Sequence, residues 1–521
     1  MANPSVLAID LGTTNLKLGL VDIEGTLLAS AERAVETLAT GPDLFEQDPV
    51  ALWDMVVSAA ASMVREAGGP ASDIRAVQCS SQFFSLIPVD ERGAATSKMK
   101  LWMSRRGAPY AQKLLQETPD ALLRFLDIHG AIPFGNDSLS HALYLREECP
   151  DVWARTRALL EPADFLTLKF SGQIATNLCS AFPLMLTDNR SIPAGTWSPE
   201  LLKLAGVSAD HLAPMHPVEA SVGPIKSSVA QSTGLPENIP IFGGINDTQA
   251  VTMGAGAFRP GHGGLNIGTT IQVLGNAPSK MTDIESQTVS MPSPLPGEYM
   301  AMGECGLGGR LLEHYLHNLV HAEDHLADHR SSDPFAALER AVAAEPAGSG
   351  KLLYLPWLSG AMAPLESANA RGGFLNMNLG TTRPRMLRSV LEGIGFQLRW
   401  MQPYVEKFSQ QPWTTITFSG GGARSPVWAG ILADILDRPI HRIDNARQTN
   451  TRGAAFLAFL RLGLLDRDAL DDFRPIAEIH QPQSAHRRIY DGLFNAWQKA
   501  FEANAPVFDL LQSLETETTE L

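Results

Sequence analysis

The segment AIDLGTTNLKLGLVD (residues 8–22) predicts how the chain begins to fold. The apolar run 6–9 ends in an aspartate, a Gly-Thr-Thr-Asn turn follows, and a second run alternates apolar and polar residues. Leu16, Leu18 and Leu20 recur at every second position, which is typical of a half-buried strand. The segment therefore predicts a β-hairpin whose turn carries hydroxyl groups next to a carboxylate.

The composition limits the class of protein. The chain has 521 residues, of which 44% are hydrophobic and 19% are charged, so we expect a globular protein with two or more domains. A formal net charge of −15 argues against long nucleic acid as a partner. The four cysteines form no CxxC pair, and we expect free thiols rather than a zinc site or disulfides.

The first residues, MANPSVLAIDLG (1–12), lack a basic region followed by a long apolar run, which argues against a signal peptide. No apolar run along the chain is long enough to span a bilayer. We therefore expect a cytoplasmic protein with no membrane partner.

Two further segments give local predictions. PVALWDMVVSAAASMVREAGG (49–69) has helical spacing of its apolar residues and is expected to end at Gly68 and Gly69. TTITFSGGGARSPVWAGILADIL (414–436) predicts a strand over 416–419, a glycine turn, and a helix with Ser425 as its N-cap and Pro426 at the first position.

The Gly-Thr-Thr sequence of IDLGTTN (9–15) is echoed in NIGTTIQ (266–272). Backbone N–H groups and hydroxyls in a tight turn suit phosphate oxygens, so two such loops could clamp a polyphosphate from both sides. An internally duplicated fold would leave this echo. For the first loop alone, a plain hairpin turn explains the residues equally well, and for the second loop alone it explains them better.

Two aspartates are candidates for chemistry. Asp10 precedes the first loop, where a carboxylate could hold a hydrated magnesium ion that neutralises phosphate. Asp247 lies in GGINDTQA (243–250) and could accept a proton from a substrate hydroxyl as its oxygen attacks phosphorus. The alternative for Asp247 is an N-cap for a following helix.

With these blocks in this order, the chain resembles the FGGY carbohydrate kinases of the actin-like ATPase superfamily. The resemblance covers nearly the whole chain. It rests on the segments IDLGTTNLK (9–17), FGGINDTQA (242–250), LNIGTT (265–270), YLPWLSG (354–360), ARGGFLNM (370–377), SVLEGIGF (389–396), FSGGGARSPVWAGILADIL (418–436) and TRGAAFLA (451–458).

The resemblance implies an α/β fold of two ribonuclease-H-like domains, each a mixed sheet flanked by helices, with a central cleft. We expect the boundary between residues 1–246 and 247–521. ATP and Mg²⁺ are the implied cofactors, with Asp10 positioning the metal and Asp247 as general base. The residues implied to bind the nucleotide are Gly12, Thr13, Thr14, Lys17, Gly268, Thr269, Thr270, Gly421, Gly422, Ala423 and Ser425.

The acceptor side departs from the xylulokinases, which the chain otherwise resembles most among family members. In SSQFFS (80–85), Phe83 and Phe84 replace the family's Met and His, and WMSRR (102–106) has Ser104 where Asp is usual. His141 replaces a lysine, and LSGAMAP (358–364) lacks the family's Glu and Arg. These changes predict a more apolar pocket for a deoxy, shorter or modified ketose or polyol. The residues implied to contact the acceptor are Gln82, Phe83, Phe84, Trp102, Arg106, Asp247 and Thr248.

The resemblance thus implies an ATP-dependent kinase acting on a small ketose or polyol, with D-xylulose as the leading acceptor. Glycerol, erythritol-like polyols, other ketoses and the autoinducer-2 precursor remain alternatives. A non-catalytic, actin-like nucleotide-binding protein is the alternative from another class. The family is often dimeric, so the resemblance leaves a homodimer open, and the sequence itself does not give the oligomeric state.

Overall fold

The segment 8–22 forms an antiparallel hairpin in the computed structural model, which describes residues 3–67, 71–192, 195–320 and 333–514. Strand β1 (Ser5–Leu11) pairs with β2 (Asn15–Asp22), and this register places Asp10 opposite Lys17. Every residue of β1 is buried, because helices cover both faces of this sheet. The predicted hairpin is confirmed.

The strands of the N-terminal half form one mixed sheet and two small ones. The large sheet has the order β10-β11-β6-β1-β2-β3, with β12 also pairing with β6, and the small sheets are β4-β5-β8 and β7-β9. The remaining bounds are β3 (Leu27–Ala34), β4 (Leu38–Gly41), β5 (Leu44–Gln47), β6 (Ile74–Ser81), β7 (Ile87–Val89), β8 (Met99–Lys100), β9 (Ala158–Leu160), β10 (Ser221–Pro224), β11 (Pro240–Phe242) and β12 (Ile245–Asn246).

The C-terminal half carries a second mixed sheet, in the order β15-β16-β17-β14-β13-β20-β21-β22, beside the β18-β19 pair. Its strands are β13 (His262–Ile267), β14 (Thr270–Ala277), β15 (Thr282–Asp283), β16 (Thr288–Pro292), β17 (Tyr299–Leu307), β18 (Leu353–Leu355), β19 (Gly373–Leu375), β20 (Thr415–Ser419), β21 (Ile440–Ile443) and β22 (Ile476–His480).

The two large sheets share one topology. In the first, β3, β2 and β1 are antiparallel, and β6 and β11 continue parallel to β1. In the second, β17, β14 and β13 are antiparallel, and β20 and β21 continue parallel to β13. The two Gly-Thr-Thr loops are therefore the equivalent hairpin turns of a duplicated fold, as the sequence echo indicates.

Helices connect and cover the strands. In the N-terminal half they are α1 (Pro49–Glu66), α2 (Ala108–Glu117), α3 (Ala121–Ile128), α4 (Ser138–Glu148), α5 (Pro150–Arg155), α6 (Pro162–Ser171), α7 (Leu178–Ala181), α8 (Pro199–Ala205), α9 (Ser227–Thr233) and α10 (Asp247–Ala255). In the C-terminal half they are α11 (Gly309–Tyr315), α12 (Pro334–Ala343), α13 (Arg383–Phe408), α14 (Pro426–Leu436), α15 (Thr449–Arg461), α16 (Leu470–Phe473) and α17 (Ser484–Ser513).

Local capping agrees with the sequence where it was predicted. Ser425 caps α14 by accepting a hydrogen bond from the backbone N–H of Trp428, and Pro426 is the first helical residue. Helix α1 is present and is capped by Asp48. Its predicted terminators, Gly68 and Gly69, lie outside the described residues.

Helices α10 and α15 join the two halves. Their backbones meet directly, since a side chain at Gly453 would collide with the Ala250 carbonyl and one at Gly254 would collide with the Thr449 carbonyl. Helix α15 also packs on β1 and β6 of the first sheet. Only glycine at these two positions permits the backbones of the helices to come so close. The close contact fixes the two sheets on either side of the helix pair. The domain boundary predicted at 246/247 falls between β12 and α10 and stays a prediction.

Three exclusions made from the sequence can be compared with the described residues. The cysteines Cys79, Cys149, Cys179 and Cys305 are all free thiols, as predicted. Within residues 3–514, apart from the gaps given above, no helix has the length and apolarity needed to cross a membrane. The same residues contain no group of three or more His, Cys, Asp or Glu side chains placed to hold a metal ion.

Candidate active site

A cavity of about 730 Å³ lies where the two hairpin turns face each other. Residues from both halves of the chain line it, so the topology brings together segments that are far apart in the sequence. The predicted site residues that line this cavity are Asp10, Gly12, Thr13, Thr14, Lys17, Gln82, Phe83, Phe84, Trp102, Asp247, Gly268, Thr269, Thr270 and Gly421.

The first hairpin turn is closed by a hydrogen bond from the Gly12 N–H to the Asn15 carbonyl, at 2.9 Å. Asp10 stands just before this turn at the end of β1 and is 4% exposed. Ser80 and Asn450 donate to its Oδ1 atom at 2.9 and 3.5 Å. A buried carboxylate held through one oxygen fits the role of orienting a hydrated divalent cation.

The second hairpin turn is held from behind by the start of α11. Gly268 N–H donates to the Thr270 carbonyl at 3.0 Å, and Gly309 N–H donates to the Gly268 carbonyl at 2.8 Å. A side chain at Gly268 would have no heavy atom within 4 Å, so the front of this turn is open to the cavity. The turn thus exposes backbone polar groups on a rigid support, as a phosphate loop requires.

Asp247 is the first residue of α10, and its neighbour Asn246 is the N-cap. Asn246 accepts a hydrogen bond from the Gln249 N–H at 2.8 Å, so the capping role considered for Asp247 belongs to the preceding residue. Burial, and secondly the nearby charge of Asp10, raise the pKa of the Asp247 carboxyl to about 7. A carboxylate with this pKa is a competent base near neutral pH.

The three glycines of the segment 418–436 have different roles. Gly420 has a φ of +82°, and a side chain there would lie 2.6 Å from Asn266 Oδ1, so only glycine fits. Gly422 packs against Ile267 and Trp428. Gly420 and Gly421 line the cavity, and of the three only Gly421 has no heavy atom within 4 Å of an added side chain. This open position would let a flat ligand approach the backbone closely.

Two residues implied to bind the nucleotide lie behind this surface. Ala423 is fully buried, and Ser425 uses its hydroxyl to cap α14. With Gly422 they stand outside the cavity lining. Any role for them in binding adenosine stays a prediction, and their observed contacts shape the turn that presents Gly421.

Two predicted acceptor contacts also lie outside the lining. Thr248 is fully buried, and its hydroxyl accepts a hydrogen bond from Gln272 Nε2 at 3.1 Å. Arg106 donates from Nη1 to Glu46 Oε1 at 2.7 Å, and Lys100 donates to the same oxygen at 2.7 Å. The carboxylate partner of Arg106 is therefore Glu46.

The two replaced positions beside Arg106 are also engaged inside the protein. Ser104 accepts a hydrogen bond from Arg106 Nε at 2.9 Å. His141 is fully buried and makes a 3.0 Å hydrogen bond from Nε2 to the Leu101 carbonyl. Burial lowers the pKa of His141 to about 3, so this side chain is a neutral part of the core rather than a cation.

Sequence reasoning missed several polar residues of the cavity. Glu304 on β17 lies opposite Gln272 on β14, and burial raises the pKa of its carboxyl. Asn266 donates to Gln272 Oε1 at 3.0 Å, which links these side chains across the second sheet. A polar residue inside an otherwise apolar strand could have indicated them. The missed polar lining residues are Asn15, Thr37, Asn266, Gln272, Glu304, Arg310, Arg447 and Asn450.

Comparison with known protein families agrees with this arrangement. Residues 5–254 match the domain described as "FGGY family of carbohydrate kinases, N-terminal domain". Residues 264–462 match the domain described as "FGGY family of carbohydrate kinases, C-terminal domain". Together the two matches cover most of the chain and include both hairpin turns, Asp247 and Gly421.

Individual proteins with different acceptors are similarly related. A xylulose kinase of Bacillus subtilis (strain 168) is 25% identical over 498 residues, which cover 95% of this chain and 96% of that protein. An autoinducer-2 kinase of Enterobacter sp. (strain 638) is 24% identical over 507 residues, which cover 95% of this chain and 94% of that protein.

A solved structure shows the same fold. The crystal structure of a gluconate kinase from Lactobacillus acidophilus superimposes with a TM-score of 0.85 at 23% identity. The superposition covers 98% of this chain and all of that chain. The two sheets and the cleft between them are therefore a fold that this chain shares with that kinase.

Proposed function

The chain belongs to the FGGY family of carbohydrate kinases, and from this premise we propose that it transfers the γ-phosphoryl group of ATP to a hydroxyl of a ketose or polyol. D-Xylulose is the leading acceptor, because a xylulose kinase matches 95% of the chain. The observation that carries the proposal is the position of Asp247, whose carboxylate lines the same cavity as both Gly-Thr-Thr turns.

The residues of the cavity fit a magnesium nucleotide. The open faces of Gly268 and Gly421 leave room for phosphates and a base, and Lys17 adds positive charge. Asp10 is the residue that would hold the metal ion. Bound ATP would supply the phosphoryl group, and magnesium would neutralise its oxygens.

The residues of the chain then divide the remaining work. The backbone of Gly12–Thr14 and of Gly268–Thr270 orients the phosphates, and the acceptor lies between them and Asp247. Asp247 would take the proton from the acceptor hydroxyl as that oxygen bonds to the γ-phosphorus and the bond from phosphorus to the leaving oxygen of ADP breaks. Positioning the reactants in the cavity would supply most of the rate enhancement that such a site can give.

Acceptor-dependent ADP release tests this proposal. The wild-type protein and Asp247→Ala would be given ATP, Mg²⁺ and a panel of ketoses, polyols and deoxy sugars. Turnover that one acceptor stimulates in the wild type and not in the variant supports the kinase. If ATP binds and no acceptor stimulates ADP release, the chain is an actin-like nucleotide-binding protein instead.

The panel should also include the autoinducer-2 precursor, because of a second sequence match. An autoinducer-2 kinase matches this chain at 24% identity, which is close to the 25% of the xylulose kinase. Overall similarity therefore favours D-xylulose over this acceptor only narrowly. The choice of acceptor therefore depends on the side chains that line the acceptor end of the cavity.

A further inference from the structure

An aromatic surface forms one part of the cavity wall. Phe83 and Phe84 follow β6 and line the cavity, with their ring centroids 4.4 Å apart. Phe84 also packs edge-on against Phe134, with centroids 5.1 Å apart. These residues present carbon, rather than hydrogen-bonding groups, to a ligand in this part of the cavity.

The backbone of Phe84 is held in an unfavourable conformation. Its φ of +57° lies in the left-handed region, which bulky side chains rarely adopt. Such a conformation persists only where the surrounding structure imposes it, and these outliers cluster at functional sites. The fold therefore holds the Phe84 ring in this wall against a local cost.

The polar groups beside this surface already have partners inside the protein. Gln82 Oε1 accepts a hydrogen bond from the Thr13 hydroxyl at 2.7 Å, and Gln82 Nε2 donates to Gln47 Oε1 at 3.1 Å. Trp102 Nε1 donates to the Thr13 hydroxyl at 2.9 Å. Gln82 and Trp102, which are implied to bind hydroxyls of the substrate, thus already make hydrogen bonds to other residues of the protein.

Arg106 is occupied in part. Its Nε and Nη1 atoms donate to Ser104 and Glu46, its Nη2 atom is buried without a partner, and the residue lies outside the cavity lining. A sugar hydroxyl placed against Phe83 and Phe84 would consequently lose its water without gaining a protein partner, which is unfavourable. A methyl group or a deoxy carbon in the same place would gain from burial.

We propose that the acceptor of this kinase has an apolar end, a methyl or deoxy carbon, that packs on Phe83 and Phe84. The hydroxyl that is phosphorylated lies at the other end, beside Asp247. This inference rests on the proposed function and narrows its substrate class from fully hydroxylated ketoses to deoxy ketoses and related methyl-bearing polyols.

Matched acceptors test the inference directly. 1-Deoxy-D-xylulose differs from D-xylulose only by the hydroxyl on carbon 1, and both keep the terminal hydroxyl on carbon 5. D-Ribulose and 1-deoxy-D-ribulose form a second pair. We expect kcat/KM to favour the deoxy member of at least one pair by about tenfold, the scale on which an apolar pocket discriminates against an added hydroxyl.

Two variants of one residue separate polarity from shape. Phe84→His adds a hydrogen-bonding group, and histidine tolerates a positive φ better than most residues, so the fold should survive. We expect this variant to lower the deoxy-to-parent ratio of kcat/KM about tenfold. Phe84→Leu keeps the wall apolar and should keep the ratio within about threefold, whatever its absolute rates.

The outcomes distinguish this inference from the proposed function. Wild-type protein that phosphorylates the hydroxylated members equally well or better retains the kinase assignment and overturns the apolar acceptor. Equal shifts in Phe84→His and Phe84→Leu would also overturn it, since wall polarity would then not select the acceptor. If no acceptor of the whole panel supports turnover that depends on Asp247, the proposed function itself fails.

Discussion

The cavity has two walls that differ in how their polar groups are used. The phosphate wall, formed by the turns 12–14 and 268–270 with Gly421, is open where its backbone faces the cavity. The acceptor wall, formed by residues 82–84 and Trp102, has polar groups that are paired inside the protein. A substitution in the open wall should change ligand affinity alone. A substitution in the paired wall also breaks hydrogen bonds inside the protein, so it should change both ligand affinity and the free energy of unfolding.

Asp247→Asn should produce the largest effect, because the proposed function makes Asp247 the general base. The amide cannot accept the proton, so we expect kcat to fall roughly 10²- to 10⁴-fold, the usual contribution of a general base. Loss of a buried charge near Asp10 should also raise, or leave unchanged, the free energy of unfolding at pH 8. Steady-state kinetics and urea denaturation measure the two quantities.

The Asp247→Asn variant carries its own control in nucleotide affinity. Calorimetric titration with MgATP should give a Kd within a few-fold of the wild type, because the phosphate wall is intact. An unchanged kcat would contradict the role of Asp247. If the variant folds normally but no longer binds MgATP, Asp247 acts in phosphate binding rather than in proton transfer.

Glu46→Gln should have the next largest effect, and it should appear in stability. Lys100 and Arg106 both contact Glu46 Oε1, and the side chains are 8%, 7% and 12% exposed for Lys100, Arg106 and Glu46. Neutralising the shared carboxylate leaves two nearly buried cations without a counter-charge. We expect the free energy of unfolding in urea to fall by about 3 kcal/mol.

An exposed ion pair supplies the matched control for Glu46→Gln. Asp127 lies 3.5 Å from Arg190, and both side chains are at least half exposed. Asp127→Asn should change the free energy of unfolding by about 0.5 kcal/mol or less. If both variants lose equally little stability, the acceptor wall is not supported by the Glu46 cluster and the contrast between the walls breaks.

The two walls also differ in what the sequence could predict. Each of the two hairpin turns is closed by a hydrogen bond between residues a few positions apart, so the local sequence could predict both turns, whereas their role in binding phosphate stays a prediction. The partner of Arg106 lies 60 positions away on β5, and that of Thr13 lies 69 positions away at the end of β6. Sequence alone could name Gln82 and Arg106 as candidates but not show that their groups are already engaged.

The sequence also failed to predict cavity residues that reach the site only through the pairing and packing of distant segments. Glu304 reaches the cavity because β17 pairs with β14 at Gln272, and Asn450 reaches Asp10 from 440 positions away. The topology of both sheets, in contrast, followed from the family resemblance and from the repeated turn. Fold and local turns were thus predictable, whereas long-range polar pairing needed coordinates.

Gly421→Val tests whether a substitution in the phosphate wall weakens ATP binding without a loss of stability. Gly421 has open space before it and lies outside the positive-φ region, so the backbone tolerates valine while the side chain enters the cavity. We expect KM for ATP to rise about tenfold, the scale on which misfit in a binding pocket is usually felt. The free energy of unfolding should stay within about 0.5 kcal/mol of the wild type.

Gly492→Val is the control for that variant, because Gly492 on α17 is exposed and has no heavy atom within 4 Å of an added side chain. It should leave KM for ATP unchanged. Equal KM values for ATP in Gly421→Val and the wild type would show that the nucleotide does not pass over Gly421, and the adenosine prediction for this turn would be wrong.

The smallest effect concerns the pH profile. The pKa of Asp247, raised to about 7, predicts that kcat/KM for the acceptor falls as the pH drops below 7 and the base gains a proton. Glu304 contributes to this elevated pKa through its charge, after burial and Asp10. In Glu304→Gln the pKa of Asp247 should be lower, so the base stays ionised to lower pH and the acid limb moves down by less than about one unit.

Glu313, an exposed residue of α11 in the same part of the chain, supplies the control for this shift. Glu313→Gln should leave the profile in place, because a charge in water is screened from the cavity. An acid limb that moves upward, or not at all, in Glu304→Gln would contradict a charged Glu304 beside Asp247. A downward shift confined to this variant would show that Glu304, a residue of the second sheet, lowers the acidity of the proposed base on α10.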